Sequence, residues 1–251
     1  MRDSMEQSTC SQIPALGPWV MSMKWVGLLF AHWKVPADLL RPFIPSGVQL
    51  DLYNGEAWLG VVPFQMCDTR ARLLPTVPST ANFFELNLRT YVTDGARAGV
   101  FFFSLDATSR LAVFGARNFF CLPYFNATIV SKEVGGEIEY RSLRHDKRAP
   151  PATLDCRYAP IGAVEYSTPG SLEEWLTERY YLYTALWGGK AALAQVYHSK
   201  WPLQKARVSF NELDMTRIVG VDLPREPDHV LFSRTLSVTA TRLYSVKSVV
   251  R

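Results

Sequence analysis

The chain is poor in the features that announce a metal, a cofactor or a membrane. Its four cysteines, Cys10, Cys67, Cys121 and Cys156, lie far apart, with no C-x-x-C and no paired histidine spacing. That argues against a disulfide framework or a zinc site and for free thiols in a reducing compartment. The four histidines, His32, His145, His198 and His229, are scattered. No G-x-G-x-x-G follows a strand pattern, and no P-loop, H-E-x-x-H or G-x-S-x-G is present. Nicotinamide, ATP and zinc chemistry are therefore set aside, and no cofactor is expected. What remains is acid–base, electrostatic or binding chemistry built from Glu, Arg, Tyr and His.

Charge of one sign is also lacking. The net +4 comes from 27 basic and 23 acidic residues, and the densest basic stretch, Arg141 to Arg148, is interrupted by Asp146. A nucleic-acid footprint is a concentrated stripe; this reads as a solvated loop, so no nucleic-acid partner is expected. The greasiest run, Trp19 to Trp33, holds Lys24 and is about 15 residues long, short of the ~20 a bilayer span needs. The first residues, MRDSMEQSTCSQ, contain no apolar core, so we expect no secretory leader, no membrane and a cytoplasmic setting. Asn126-Ala127-Thr128 matches a glycosylation acceptor, a match that means nothing without secretion.

Aromatics are plentiful, with 14 Phe, 11 Tyr and 7 Trp. Each buries about 150–250 Å², enough for a sizeable core in a chain of 251 residues. We expect a tail over residues 1–17 and one domain over residues 18–251. Within it, Asn54-Gly55 predicts a hairpin between Val48–Tyr53 and Glu56–Met66, and Pro36 predicts the first turn of a short helix. The clearest strand is Phe83 to Thr93, with Glu85, Asn87, Arg89 and Tyr91 on one face and Phe84, Leu86, Leu88, Thr90 and Val92 on the other. After Asp94-Gly95 the run Gly99 to Leu105 returns with phenylalanines on both faces, as a doubly buried strand does. Ser109 to Phe120 reads as a helix ending before Leu122-Pro123. Tyr124–Val134 and Glu137–His145 form a second hairpin across Gly135-Gly136. Ser171-Leu172-Glu173-Glu174 is a capping box, predicting a helix through Tyr180 and Tyr183 until Gly188-Gly189. Strands dominate again to Val230–Ser245. The class is α+β with a largely antiparallel sheet.

A set of short motifs carries a resemblance. Trp33-x-x-Pro36, Asp51-x-x-x-Gly55-x-x-Trp58, the strand Glu85-Leu86-Asn87-Leu88-Arg89-Thr90-Tyr91-Val92, Gly99 to Leu105, Leu122-Pro123-Tyr124, Glu178-Arg179-Tyr180 and His198-x-x-Trp201-Pro202 together resemble the YqjF-like family of bacterial proteins, over residues 19–245. The resemblance implies the acetoacetate-decarboxylase-like fold, a curved barrel or cone with flanking helices and a central pocket. Acetoacetate decarboxylases use a lysine imine, the lysine activated by a neighbouring cation. In the matching segment, Cys121-Leu122-Pro123-Tyr124-Phe125, Tyr124 and Phe125 stand at the two lysine positions. A phenol forms no imine, so the resemblance implies the pocket without the standard decarboxylation.

Candidate site residues follow from that strand and segment. Side chains two apart on a strand stand about 6.5–7 Å from each other, so Glu85, Asn87 and Arg89 span a small carboxylate or carbonyl ligand. Arg89 or Arg117 can clamp a carboxylate, Glu85 can act as acid or base once burial raises its pKa, and Tyr124 can donate to a developing oxyanion. His198 joins as a substrate-binding candidate. The competing reading is structural: a Glu85–Arg89 ion pair bracing the sheet, an Asn87 amide doing the same, and a satisfied core histidine. Three functional classes stay open: a cofactor-independent acid–base enzyme, a non-catalytic small-molecule binder or sensor, and an oligomeric scaffold with an aromatic interface. A homo-oligomer is compatible with all three.

Overall fold

The computed structural model describes residues 15–75 and 77–246; most of the expected tail, up to residue 14, lies outside the described residues. Among the described residues thirteen strands join in a single sheet. The longest, β1 (Trp19–Val35), has 17 residues and bends where its register with β3 (Ala57–Ala71) shifts between Val26 and Ala31. Gly27 lies in that interval at φ +65°, a conformation in which a side chain is strained, and its carbonyl accepts from the buried Tyr158 hydroxyl at 2.9 Å. β3 pairs onward with β4 (Phe83–Thr93), and β4 with β5 (Ala98–Ala107).

From β5 the sheet divides. One branch runs through β9 (Tyr181–Ala185) and β10 (Ala191–His198) to β12 (His229–Thr241), which pairs with β1. The other runs through β6 (Tyr124–Val134), β7 (Glu137–Arg144), β8 (Thr153–Glu165) and β11 (Leu203–Leu213) to the same β12, completing a ring of nine strands. The stretch β12–β1–β3–β4–β5 is thus common to both circuits, with core on each side. That is why Ala57 to Phe64 and Glu85 to Val92 are buried without interruption, and why β5 carries phenylalanines on both faces. All strand pairs are antiparallel except β5 with β6 and with β9.

Most elements fall where the sequence puts them, Phe83–Thr93 to the residue. Helix α3 (Arg110–Phe120) starts at Ser109, whose hydroxyl accepts from the Ala112 amide at 3.2 Å. It follows two short helical turns, α1 (Ala37–Leu40) after Pro36 and α2 (Pro78–Ala81). Two expectations are corrected. Asn54 and Gly55 do turn the chain at positive φ, and Tyr53 and Glu56 exchange two backbone bonds of 3.0 Å across them, but the hairpin ends there: β2 (Gln49–Leu50) pairs with β4 rather than with β3. The capped helix α4 covers only Leu172–Thr177. The serine half of its capping box forms, Ser171 Oγ accepting from the Glu174 amide at 3.2 Å. Tyr181 to Ala185 then form strand β9 between β5 and β10, because aromatic and β-branched side chains on a buried sheet outweigh helical spacing. Gly188 and Gly189 consequently turn β9 into β10.

Candidate functional site

The circuit β1–β3–β4–β5–β9–β10–β12 encloses a cavity of about 130 Å³ to which each of these strands contributes side chains. Most of its wall is apolar: Met23, Phe30, Val62, Phe64, Leu105 and Val238 are examples. Two indoles close one side, Trp25 stacked on Trp201 at 5.8 Å, with Trp201 edge-on to Phe30 at 4.9 Å. The polar residues gather on β4 and the segments beside it. Strand alternation turns Leu86, Leu88 and Val92 to the other core and leaves Glu85, Asn87 and Arg89 on the cavity wall.

Glu85 is fully buried. Its carboxyl accepts from the Tyr124 hydroxyl at 2.7 Å and is also bonded by the Asn87 side chain. Burial penalises the charged form and pushes its pKa up to about 7, against the smaller opposing effect of those two hydrogen bonds. Burial, with the carboxyl beside it, also drives the Tyr124 phenol well above its ordinary value. The backbone carbonyl of Glu85 accepts from Tyr140 at 2.8 Å, which ties this position to the second core. Asn87 Oδ1 has no hydrogen-bond partner among the described residues.

Arg89, 9% exposed, has no carboxylate partner among the described residues. It donates to the Leu176 carbonyl at 3.3 Å and the Tyr91 hydroxyl at 3.4 Å, both long, and lies over Phe30 at 5.3 Å. The bracing Glu85–Arg89 ion pair does not form. Tyr91 in turn holds His32 Nε2 at 2.7 Å and donates to the Leu176 carbonyl at 3.0 Å. His32, fully buried behind Arg89, has its pKa driven well down, by burial first and then by the guanidinium, so it is a neutral prop outside the cavity wall.

A second arginine that the sequence reading did not single out as a site residue, Arg179, also lines the cavity. It pairs with Asp51 at 2.5 Å, donates to the Trp175 carbonyl and stacks over the Trp175 ring at 4.3 Å, while its Nη2 has no hydrogen-bond partner among the described residues. The only signal for it was its place in Glu178-Arg179-Tyr180; predicted as mid-helix, it gave no hint of facing inward. His198 lines the cavity as well, stacked on Tyr180 at 4.5 Å with Nδ1 at 2.7 Å from the Ser199 carbonyl. Burial lowers its pKa, so it too is neutral.

Arg117 is not brought to this group. Ala116 and Phe120, one turn apart on α3, face the cavity; Arg117, about 100° further round, faces an open outer cleft with Cys121 and Trp187. There it donates to the Tyr124 carbonyl at 2.9 Å and covers Phe125 at 5.5 Å. Of the two positions matched to lysines, Tyr124 points in and Phe125 out. Among the described residues no lysine lines the cavity; Lys24 and Lys132 pair outside it with Asp68 at 2.8 Å and Glu139 at 2.7 Å. Among the described residues no cluster of three metal-ligating side chains occurs, and no helix is long and apolar enough to cross a membrane.

Comparison with known proteins agrees with this architecture. A profile of the DUF2071 family, described as an uncharacterized conserved protein, matches residues 22–237. The Bacillus subtilis (strain 168) protein described as "Uncharacterized protein YqjF" is 45% identical over 215 residues, covering 86% of this chain and 87% of that one. The enduracididine biosynthesis enzyme MppR complexed with pyruvate superposes with a TM-score of 0.62 at 13% identity, over 96% of this chain and 95% of that one. Acetoacetate decarboxylase from Legionella pneumophila gives 0.62 at 12% identity, over 98% and 96%. An acetoacetate decarboxylase-like enzyme from Sphingomonas wittichii RW1 gives 0.56 at 18%, over 92% and 96%. At these identities the structural matches establish a shared fold.

Proposed function

This chain belongs to the DUF2071 family of uncharacterized conserved proteins, and from the cavity its fold encloses we propose that it takes up a small carbonyl- or carboxylate-bearing metabolite and moves a proton on it without a lysine imine. The observation that carries this is Glu85: a buried carboxyl poised at about 7, bonded to Tyr124 at 2.7 Å, on the same strand face as Arg89, which has no carboxylate partner among the described residues. An acid–base group works best when its pKa lies near the operating pH. Arg89 holds the ligand carboxylate. Glu85, ionised, takes a proton from the carbon beside the ligand carbonyl. The C–H electron pair becomes the enolate double bond, and as Glu85 takes up the proton the Tyr124 hydroxyl turns from it to the charge that reaches oxygen. Returning the proton regenerates both groups. The fold neighbour complexed with pyruvate, a small keto acid, supports the size class.

The test is solvent-deuterium exchange of the protons beside the ketone in a set of 2-oxo acids, followed by NMR. Glu85→Gln should slow enzyme-dependent exchange by about 100-fold or more; an unchanged rate in that variant refutes the mechanism. Tyr124 and Phe125 at the lysine positions favour a second reading, a binder that performs no chemistry. Under it, a ligand at about 100 times its Kd adds ~2.7 kcal/mol of stability while no proton exchanges.

A further inference from the structure

We infer that the ligand of this cavity is a monocarboxylate which, beyond the carbonyl that the proton transfer needs, carries only a compact hydrocarbon body, aliphatic or aromatic, no larger than a single six-membered ring. The inference rests on the cavity being the binding site and narrows what enters it.

The charge inventory fixes the single carboxylate. Besides the phenols of Tyr124 and Tyr181, four ionisable side chains line the cavity among the described residues: Glu85, Arg89, Arg179 and His198. Arg179 already has Asp51 at 2.5 Å. His198 is neutral, with Nδ1 against the Ser199 carbonyl. Glu85 spends its carboxyl on Tyr124 and Asn87. Arg89 alone is left, a guanidinium held by two long contacts to neutral oxygens. A buried charge is costly until it is paired. One carboxylate neutralises it; a dianion would bury a second, uncompensated charge.

The apolar stretch of the wall selects the body. Phe30, Val62, Phe64, Leu105 and Val238 offer no hydrogen-bonding side-chain atoms, so a hydroxyl or amine carried there would lose its water without replacement. The volume of about 130 Å³ is close to the ~150 Å³ of a dry apolar cavity that accommodates benzene.

Isothermal titration of the full-length protein tests this with five probes: phenylacetate, 4-methylpentanoate, phenylacetamide, succinate and pyruvate. Phenylacetate and 4-methylpentanoate should bind, and phenylacetamide, which keeps the body and loses the charge, should bind at least about 30-fold more weakly. Succinate should not bind, and pyruvate should bind more weakly than either apolar acid. Arg89→Met should erase the preference for acid over amide; Arg89→Lys should keep part of it. The acid–amide comparison on the unmodified protein stands even where a variant fails to fold. Equal binding of phenylacetate and phenylacetamide overturns the inference, as does tighter binding of pyruvate or succinate, and both outcomes leave the cavity as a binding site. Absence of binding by all five removes the cavity reading along with it.

Discussion

Replacing Glu85 by glutamine should make the protein more stable, and by an amount that depends on pH. In the folded chain the carboxyl is raised from an ordinary 4.5 to about 7. Between those two values the native state holds a proton that the unfolded chain has released. Wild-type stability therefore falls as pH rises, by about 1.4 kcal/mol per unit, beginning at the unfolded value and ending as pH passes the folded one. The whole interval is worth roughly 3 kcal/mol. Glutamine keeps the shape and an acceptor for Tyr124, and it carries no proton to lose. The gap between Glu85→Gln and wild type should thus be small near pH 4.5, open through pH 5 and 6, and level off above 7 at about 3 kcal/mol in favour of the variant. Urea denaturation at pH 5, 6, 7 and 8 measures it, because groups common to both proteins cancel in the difference. A flat difference, or a variant that loses ground as pH rises, would mean that Glu85 is held ionised. The polar end of the cavity would then be an internal ion pair, with no free cation to bind a ligand.

Two structural features give further expectations. Arg144 and Asp106 form an ion pair at 2.7 Å with both side chains 1% exposed; Arg144→Met should cost about 3–5 kcal/mol, since it strands a buried carboxylate, as read from the urea midpoint with an unchanged m-value. Gly99 lies where β5 meets β9, and a Cβ there would stand 2.5 Å from the Tyr181 carbonyl oxygen. Gly99→Ala should cost about 1–3 kcal/mol and speed amide exchange selectively in Tyr181–Ala185, whereas the same loss without that local change would separate Gly99 from the closure of the cavity.

How far the site could be read from the chain varies with the physics behind each residue. Glu85, Asn87 and Arg89 were legible because strand alternation is a local rule and Phe83–Thr93 obeys it to the residue. Tyr124 was legible through its place in the Leu122-Pro123-Tyr124 segment. Arg117 was not, because a helix rotates by about 100° per residue and nothing in the spacing says which neighbour faces in. Arg179 was hidden by a misread element: Leu172, Trp175, Leu176, Tyr180 and Tyr183 keep helical spacing, yet the chain leaves the helix at Thr177 once β5 and β10 offer backbone partners to Tyr181–Ala185.

By itself the sequence determined what local rules control. It sets which runs form strands, where Asn54-Gly55 and Gly135-Gly136 turn the chain, that Ser109 and Ser171 begin helices, and that three polar groups share one strand face. Only the tertiary structure decided what that face looks at. Closing one sheet through β5 and β12 into two circuits buries both faces of β3 and β4, and a buried face must satisfy or shed every charge it carries. Glu85 is pushed towards neutrality, His32 and His198 lose their protons, Arg179 finds Asp51, and Arg89 meets only neutral oxygens among the described residues. That arrangement depends on pairings between strands far apart in the chain, such as Trp25 with Leu236 and Phe101 with Tyr183, which no local pattern encodes.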